Sequence, residues 1–181
     1  MQAIRSSSGQ VIGETQRGSV IQFVLADSAA LYKETQSLRL IDDADFRLSA
    51  SHSEQNLPFL LDGDINTEWS TAQQQDGTEW LTIVFDNTID VARIRLDLHR
   101  RSFGDYPRIL RIESSSNRGR NVLYEGSGLV PLVRGVLKDN FLRSAIALDF
   151  KTNDTKTLKI QQTGQAVEAP WSVYELRVWK R

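Results

Sequence analysis

Apolar and polar residues alternate along much of the chain after residue 46. Ile94, Leu96 and Leu98 interleave with Arg93, Arg95 and Asp97, a period of two that turns one face of a strand to a core and the other to water. Segments 80–85, 108–113, 121–124, 145–150, 157–161 and 172–179 are similar short strand candidates, separated by turn formers such as Asp76-Gly77, Ser116-Asn117-Arg118-Gly119 and Thr152-Asn153-Asp154. Many short strands without a long helical period predict an all-β, antiparallel sandwich and argue against a parallel α/β architecture. The first 45 residues read differently, as an extension: 9–18 is polar and contains glycine, 20–25 could form a strand, and Asp27 could cap a short helix. Residues 129–142 partly match helical spacing, but Pro131 and Gly135 interrupt them, so the expectation is a loop with one helical turn.

Charge adds a second pattern. The chain carries 22 basic and 23 acidic residues, a net charge of −1, which leaves no global attraction to nucleic acid or to an anionic membrane. Locally the balance is −9 over residues 38–90 and +5 over residues 93–120, where eight arginines fall. The strand alternation points Arg93 and Arg95 outward, so the arginine-rich segment reads as a solvated face that blocks edge-to-edge association, with anion binding as the alternative. The absence of cysteine removes disulfides, zinc ribbons and thiol chemistry. No run approaches the roughly 18 apolar residues of a membrane span. The first ten residues show no apolar signal core, and the chain reads as a piece of a longer protein.

The most informative segment is the loop Asp62-Gly-Asp64-Ile-Asn66-Thr67-Glu-Trp69. Side-chain oxygens at alternating positions, followed by a threonine, suit a hard cation such as Ca²⁺, which takes six to eight oxygen ligands. An EF-hand is excluded, because Thr67 stands where its glycine is required and Gln73 where its bidentate glutamate is required. The alternative is that Asp62 forms a local Asx-turn and that Glu175 pairs with an arginine.

With three further segments this loop resembles the coagulation factor V/VIII type C, or discoidin, domains and the similar family 32 carbohydrate-binding modules. The resemblance spans roughly residues 46–181. It rests, in order, on Leu61-Asp-Gly-Asp-Ile-Asn-Thr-Glu-Trp69, Glu79-Trp-Leu-Thr-Ile-Val-Phe-Asp86, Pro107-Arg-Ile-Leu-Arg-Ile-Glu-Ser-Ser115 and Trp171-Ser-Val-Tyr-Glu-Leu-Arg-Val178. It implies a jelly-roll sandwich of the galactose-binding-like kind, whose work is binding. It also implies a structural Ca²⁺ between the Asp-Gly loop and the last strand: carboxylates from Asp62 and Glu175, the hydroxyl and carbonyl of Thr67, and carbonyls from Phe59, Asp64 and Tyr174. In the last strand Tyr174, Leu176 and Val178 share one face, so Glu175 points away from the main core and is available to a ligand.

The resemblance makes Trp69 and Trp80 core aromatics. Trp171 follows Ala169-Pro170 and is the candidate for stacking on a sugar face. Hydrogen-bond donors would come from His99, Arg100 and Arg101, for which a solvated turn is the competing role. Galactose-binding relatives carry a His and an aromatic one and four positions after the tryptophan; here those positions are Ser70 and Gln73, so galactose specificity does not carry over. The expected function is a noncatalytic module that recognises a glycan, accessory to the other domains of a larger protein outside the cytoplasm. The alternative keeps the fold and makes the partner a protein or a phospholipid head group, although membrane binding ranks low. No catalytic motif is present, and His52 and His99 are the only imidazoles.

Overall fold

The computed structural model describes residues 2–5, 11–15, 38–98, 104–139 and 144–181. The chain divides into two compact units, Met1–Leu38 and Arg39–Arg181. In the first, β1 (Gln2–Arg5) and β2 (Val11–Thr15) pair antiparallel. β2 falls in the stretch that the sequence pattern reads as polar extension. The strand expected at 20–25 and the helix expected after Asp27 lie outside the described residues.

The second unit is an antiparallel sandwich. One sheet has five strands in the order β4 (Phe46–Ala50), β6 (Trp80–Ile89), β11 (Thr155–Gln162), β8 (Ile109–Ser116), β9 (Gly119–Ser127). The other has four, in the order β10 (Ala145–Asp149), β7 (Val91–Asp97), β13 (Glu175–Lys180), β3 (Arg39–Leu40). A two-residue pair, β5 (Trp69–Ser70) with β12 (Ser172–Val173), forms a third small sheet. Because β3 pairs with β13, placing Leu40 opposite Trp179, the sandwich begins at Arg39, upstream of the boundary expected at residue 46. The segment expected as one strand over 172–179 breaks at Tyr174 into β12 and β13.

The core follows from the alternation. Leu81, Ile83 and Phe85 of β6, Leu110 and Ile112 of β8, and Leu158 and Ile160 of β11 are buried in one cluster with Ile94 and Leu96 of β7 and Leu176 and Val178 of β13. Each such side chain contributes about 1.5–3 kcal/mol on burial. On the outer faces the arginines meet acids: Arg93 with Asp149 at 2.6 Å, Arg95 with Asp97 at 2.9 Å, Arg111 with Glu113 at 2.6 Å, and Arg118 with Asp154. These arginines thus have carboxylate partners, and the Arg95–Asp97 pair is largely shielded from water.

Between β9 and β10 runs an α-helix, α1 (Leu129–Asp139), where the sequence pattern expects a loop with a single turn. Pro131 is accommodated because it lies in the first turn, whose N–H groups have no helical partner. Gly135 is the position of closest approach: a Cβ there would stand 2.2 Å from the Ala145 carbonyl oxygen of β10. The two residues that look like breakers are thus the ones that let this helix start and dock. On an exposed helix, Gly→Ala stabilises by about 1 kcal/mol. Here the sign reverses, and Gly135→Ala is expected to lower the unfolding free energy by about 1–3 kcal/mol, as overpacking does, read from urea denaturation.

Candidate functional site

Three loops, residues 71–76, 104–108 and 163–171, meet at one end of the sandwich. Loop backbone is polar and can be buried only if its groups find partners. Gln75, 2 % exposed, supplies them. Its Nε2 donates to the carbonyls of Tyr106 and Pro170, each at 3.0 Å, and its Oε1 accepts from the Arg108 N–H at 3.1 Å. Its own backbone exchanges hydrogen bonds with Ala166. Two neighbours work in the same way. Glu79 accepts from the N–H groups of Asp76 and Gly77, and Gln162 accepts from those of Ile109 and Gly164. Gly77 has φ +94°, and a Cβ on it would lie 3.0 Å from the Thr163 carbonyl. Ser172 closes the arrangement, its N–H donating to the Asp105 carbonyl and its hydroxyl to the Asp105 carboxylate at 3.2 Å. None of these polar residues stands out in the sequence, where Gln75 and Gln162 look like ordinary strand-end residues.

Trp171 is corrected from a binding platform to a core residue. It is 0 % exposed and packs edge-to-face on Trp69, ring centroids 5.1 Å apart at 86°. Its backbone is pinned by Thr71, whose Oγ1 accepts the Trp171 N–H at 3.1 Å while the Thr71 N–H donates back to the Trp171 carbonyl at 2.9 Å. No face is left for a sugar. Trp69 is buried as expected, its Nε1 donating to the His52 carbonyl at 2.9 Å. Trp80 is only half-buried, with the Lys159 ammonium 5.6 Å from its ring centre. His99, Arg100 and Arg101 lie outside the described residues.

The Asp-Gly loop makes the local contacts of the alternative reading, an Asx-turn at Asp62 and an arginine beside Glu175. Asp62 makes the Asx-turn: Oδ1 accepts from the Asp64 N–H at 2.9 Å, and Oδ2 lies 2.8 Å from the Thr67 hydroxyl, which also lies 3.0 Å from the Asp64 carbonyl. Gly63, with φ +74°, turns its N–H to the Glu175 carboxylate. Glu175 also faces Arg177, Oε2 to Nη2 at 3.8 Å. Its other oxygen, Oε1, is buried and has no hydrogen-bond partner. Contrary to the expectation of an accessible carboxylate, Glu175 is only 6 % exposed. It points off the Leu176 face, but the Asp-Gly loop and β3 cover it, and together with Asp43 and Asp62 it lines a recess of about 260 Å³. Burial pushes the Glu175 carboxyl above its ordinary range, and the Asp62 charge adds to this. Tyr174, next along the chain, has its hydroxyl raised by burial and by the Glu68 carboxylate to which it donates. Phe59 sits in the preceding 3₁₀ segment (Glu54–Leu60). Among the described residues no group of three or more His, Cys, Asp or Glu is placed to hold a metal ion, so a cation here would rest on two carboxylates and neutral oxygens.

Residues 47–175 match the family model of the F5/8 type C domain. The chain belongs to the F5/8 type C domain family. Solved structures with a similar fold include the family 32 carbohydrate-binding module of Clostridium perfringens NanJ in complex with galactose, at 20 % identity and a TM-score of 0.58, covering 79 % of this chain and 99 % of that one. A second is the C. perfringens module CpGH89CBM32-5 in complex with GalNAc-β-1,3-galactose, at 14 % identity and a TM-score of 0.58, covering 77 % and 99 %. A third holds the CBM32-1, CBM32-2 and M60 catalytic domains of C. perfringens ZmpB, at 17 % identity and a TM-score of 0.59, covering 87 % of this chain and 16 % of that one. At these identities the likeness is one of fold. No curated protein matches the chain. Among the described residues no helix is long and apolar enough to cross a membrane.

For this F5/8 type C domain the buried Trp69–Trp171 pair sets a clear expectation. Trp171→Ala is expected to cost about 3–5 kcal/mol of stability, seen as an earlier urea midpoint; a midpoint unchanged from the parent would mean that the ring does not sit in the core.

Proposed function

We propose that this F5/8 type C domain is a noncatalytic module that binds a glycan through the end of the sandwich where loops 71–76, 104–108 and 163–171 meet. The observation that carries the reading is that a loop end braced by Gln75 stands on a sandwich whose fold is shared with modules solved in complex with galactose and with a GalNAc disaccharide. His99, Arg100 and Arg101 directly precede the described part of the second loop and are the proposed donors. The module would be an accessory unit of a larger extracytoplasmic protein, a reading supported by its likeness to part of a multidomain chain. A glycan array followed by calorimetry tests it. The expected outcome is a dissociation constant in the micromolar to millimolar range, about −8 to −4 kcal/mol, weakened by Arg101→Ala, with no sugar hydrolysed. An array without any binder, or turnover of an aryl glycoside, would overturn it.

The second part of the proposal is a structural Ca²⁺ held by Asp62 and Glu175. The residues fit it in one specific respect: the unpartnered Glu175 Oε1 is a buried anionic oxygen beside the Asp62 loop, and a cation would satisfy it. Thr67 and the carbonyls of Phe59, Asp64 and Tyr174 would complete the set. Bound only by the folded state, the ion would stabilise by about 2.7 kcal/mol at a hundredfold excess over its dissociation constant, a rise in melting temperature of several degrees for a domain of this size. Asp62→Ala should abolish that rise. Glu175→Gln should abolish it too, yet leave the EGTA-treated protein as stable as the parent or more so, because it removes a buried charge. A Ca²⁺ response that survives both substitutions would place the ion elsewhere.

A further inference from the structure

Six described arginines are paired with carboxylates. Arg93, Arg95, Arg111, Arg118, Arg177 and Arg181 each meet a carboxylate. Arg39, Arg47, Arg120 and Arg134 meet none in a described residue, but they project fully into solvent. Arg108 differs from the arginines just named: it is partly buried, and its guanidinium makes no ion pair or hydrogen bond with any described residue. Instead it sits over an aromatic ring, Cζ 4.2 Å from the centre of Tyr106.

The geometry matters for what Arg108 can do. The cation–π contact places the guanidinium without a hydrogen bond to any described residue, so its N–H donors remain available to a ligand. The backbone is held as well. The Arg108 N–H donates to Gln75 Oε1 at 3.1 Å and its carbonyl accepts from Gly128 N–H at 3.2 Å. Gly164 leaves room beside the stem: a Cβ at 164 would lie 2.9 Å from Arg108 Cβ. A long, flexible side chain has thus lost much of its freedom before any ligand arrives, which lowers the cost of binding. A planar fork of this kind matches a carboxylate or a sulfate, to which it can make two parallel charge-assisted bonds.

We propose that Arg108, on its Tyr106 platform, reads an anionic substituent of the ligand, so that the module selects an acidic glycan carrying a sugar carboxylate or a sulfate ester. The inference rests on the glycan-binding reading of the same loop end. It makes Arg108 a specificity-determining residue, with the uncharged hydroxyls of the sugar left to the other loops.

Calorimetric titration at low salt with four probes tests it: methyl α-galacturonide, the methyl ester of that uronide, galactose 6-sulfate and galactose. The expected result is that at least one charged probe binds about tenfold or more tightly than its neutral counterpart, the difference of one charge-assisted contact. Preference for the uronide over its ester identifies a carboxylate ligand, and preference for the sulfate over galactose identifies a sulfated one. Arg108→Gln should erase the preference of the charged probe over its neutral counterpart, in a domain that still unfolds cooperatively in urea. Tyr106→Leu, which keeps the cation and removes its platform, should reduce the preference several-fold. Equal binding of charged and neutral probes overturns the proposal, as does a preference that survives Arg108→Gln. Binding of galactose alone overturns the acidic ligand and retains the glycan module; binding of no sugar on these probes or on an array removes both.

Discussion

One buried side-chain amide governs the loop end of this domain. Gln75 has two N–H donors and an acceptor oxygen, and the three loop groups that reach it are two carbonyls and one N–H. The match is complete, so three segments from distant parts of the sequence sit inside protein without an unsatisfied polar group among these contacts. The position of Tyr106 and Arg108 depends on it directly. That of Pro170, and through it Trp171, depends on it one step further. Glu79 and Gln162 extend the same device along the rim, each accepting from two backbone N–H groups.

Seen from this end, the placement of charge makes sense. Arginines on strands β7, β8 and β13 face partners on the same or neighbouring strands, as cross-strand pairing of opposite charges favours, and each exposed pair contributes little to stability. Arg108 precedes β8 and meets the Tyr106 ring in place of a carboxylate. Glu175 is the reverse case. It sits in the middle of the structure with an oxygen that nothing described satisfies, next to Asp62, and carries a cost that a bound cation would offset.

The sandwich was legible in the sequence because in β6, β7, β8, β10 and β11 apolar residues recur at every second position and form the core face. The family was legible because the Asp62–Trp69 loop and the Trp171–Val178 segment combine side chains that few other folds need together. Other parts were hidden for definable reasons. β3 is two residues long and makes sense only against β13. Helix α1 was obscured by Pro131 and Gly135, whose roles depend on position within the helix and on the nearness of Ala145. Trp171 looked like a loop residue because its partners, Trp69 and Thr71, are far away in sequence. Glu175 alternates away from Leu176 as its position requires, but alternation says nothing of the loop that lies over it. Gln75 carries no signal at all, since a buried glutamine differs from an exposed one only in what surrounds it.

The bond between Thr71 and Trp171 spans one hundred residues. A contact of that length forms late, because the intervening chain must first be ordered. Trp69 therefore waits for the last strands before its ring meets Trp171, and until then loop 163–171 is missing from the Gln75 junction. The sandwich sheets can assemble around β6, β8 and β11 before that moment. The loop end cannot: its third loop and the Trp69–Trp171 contact arrive only with the C-terminal segment, so this end of the domain is completed last.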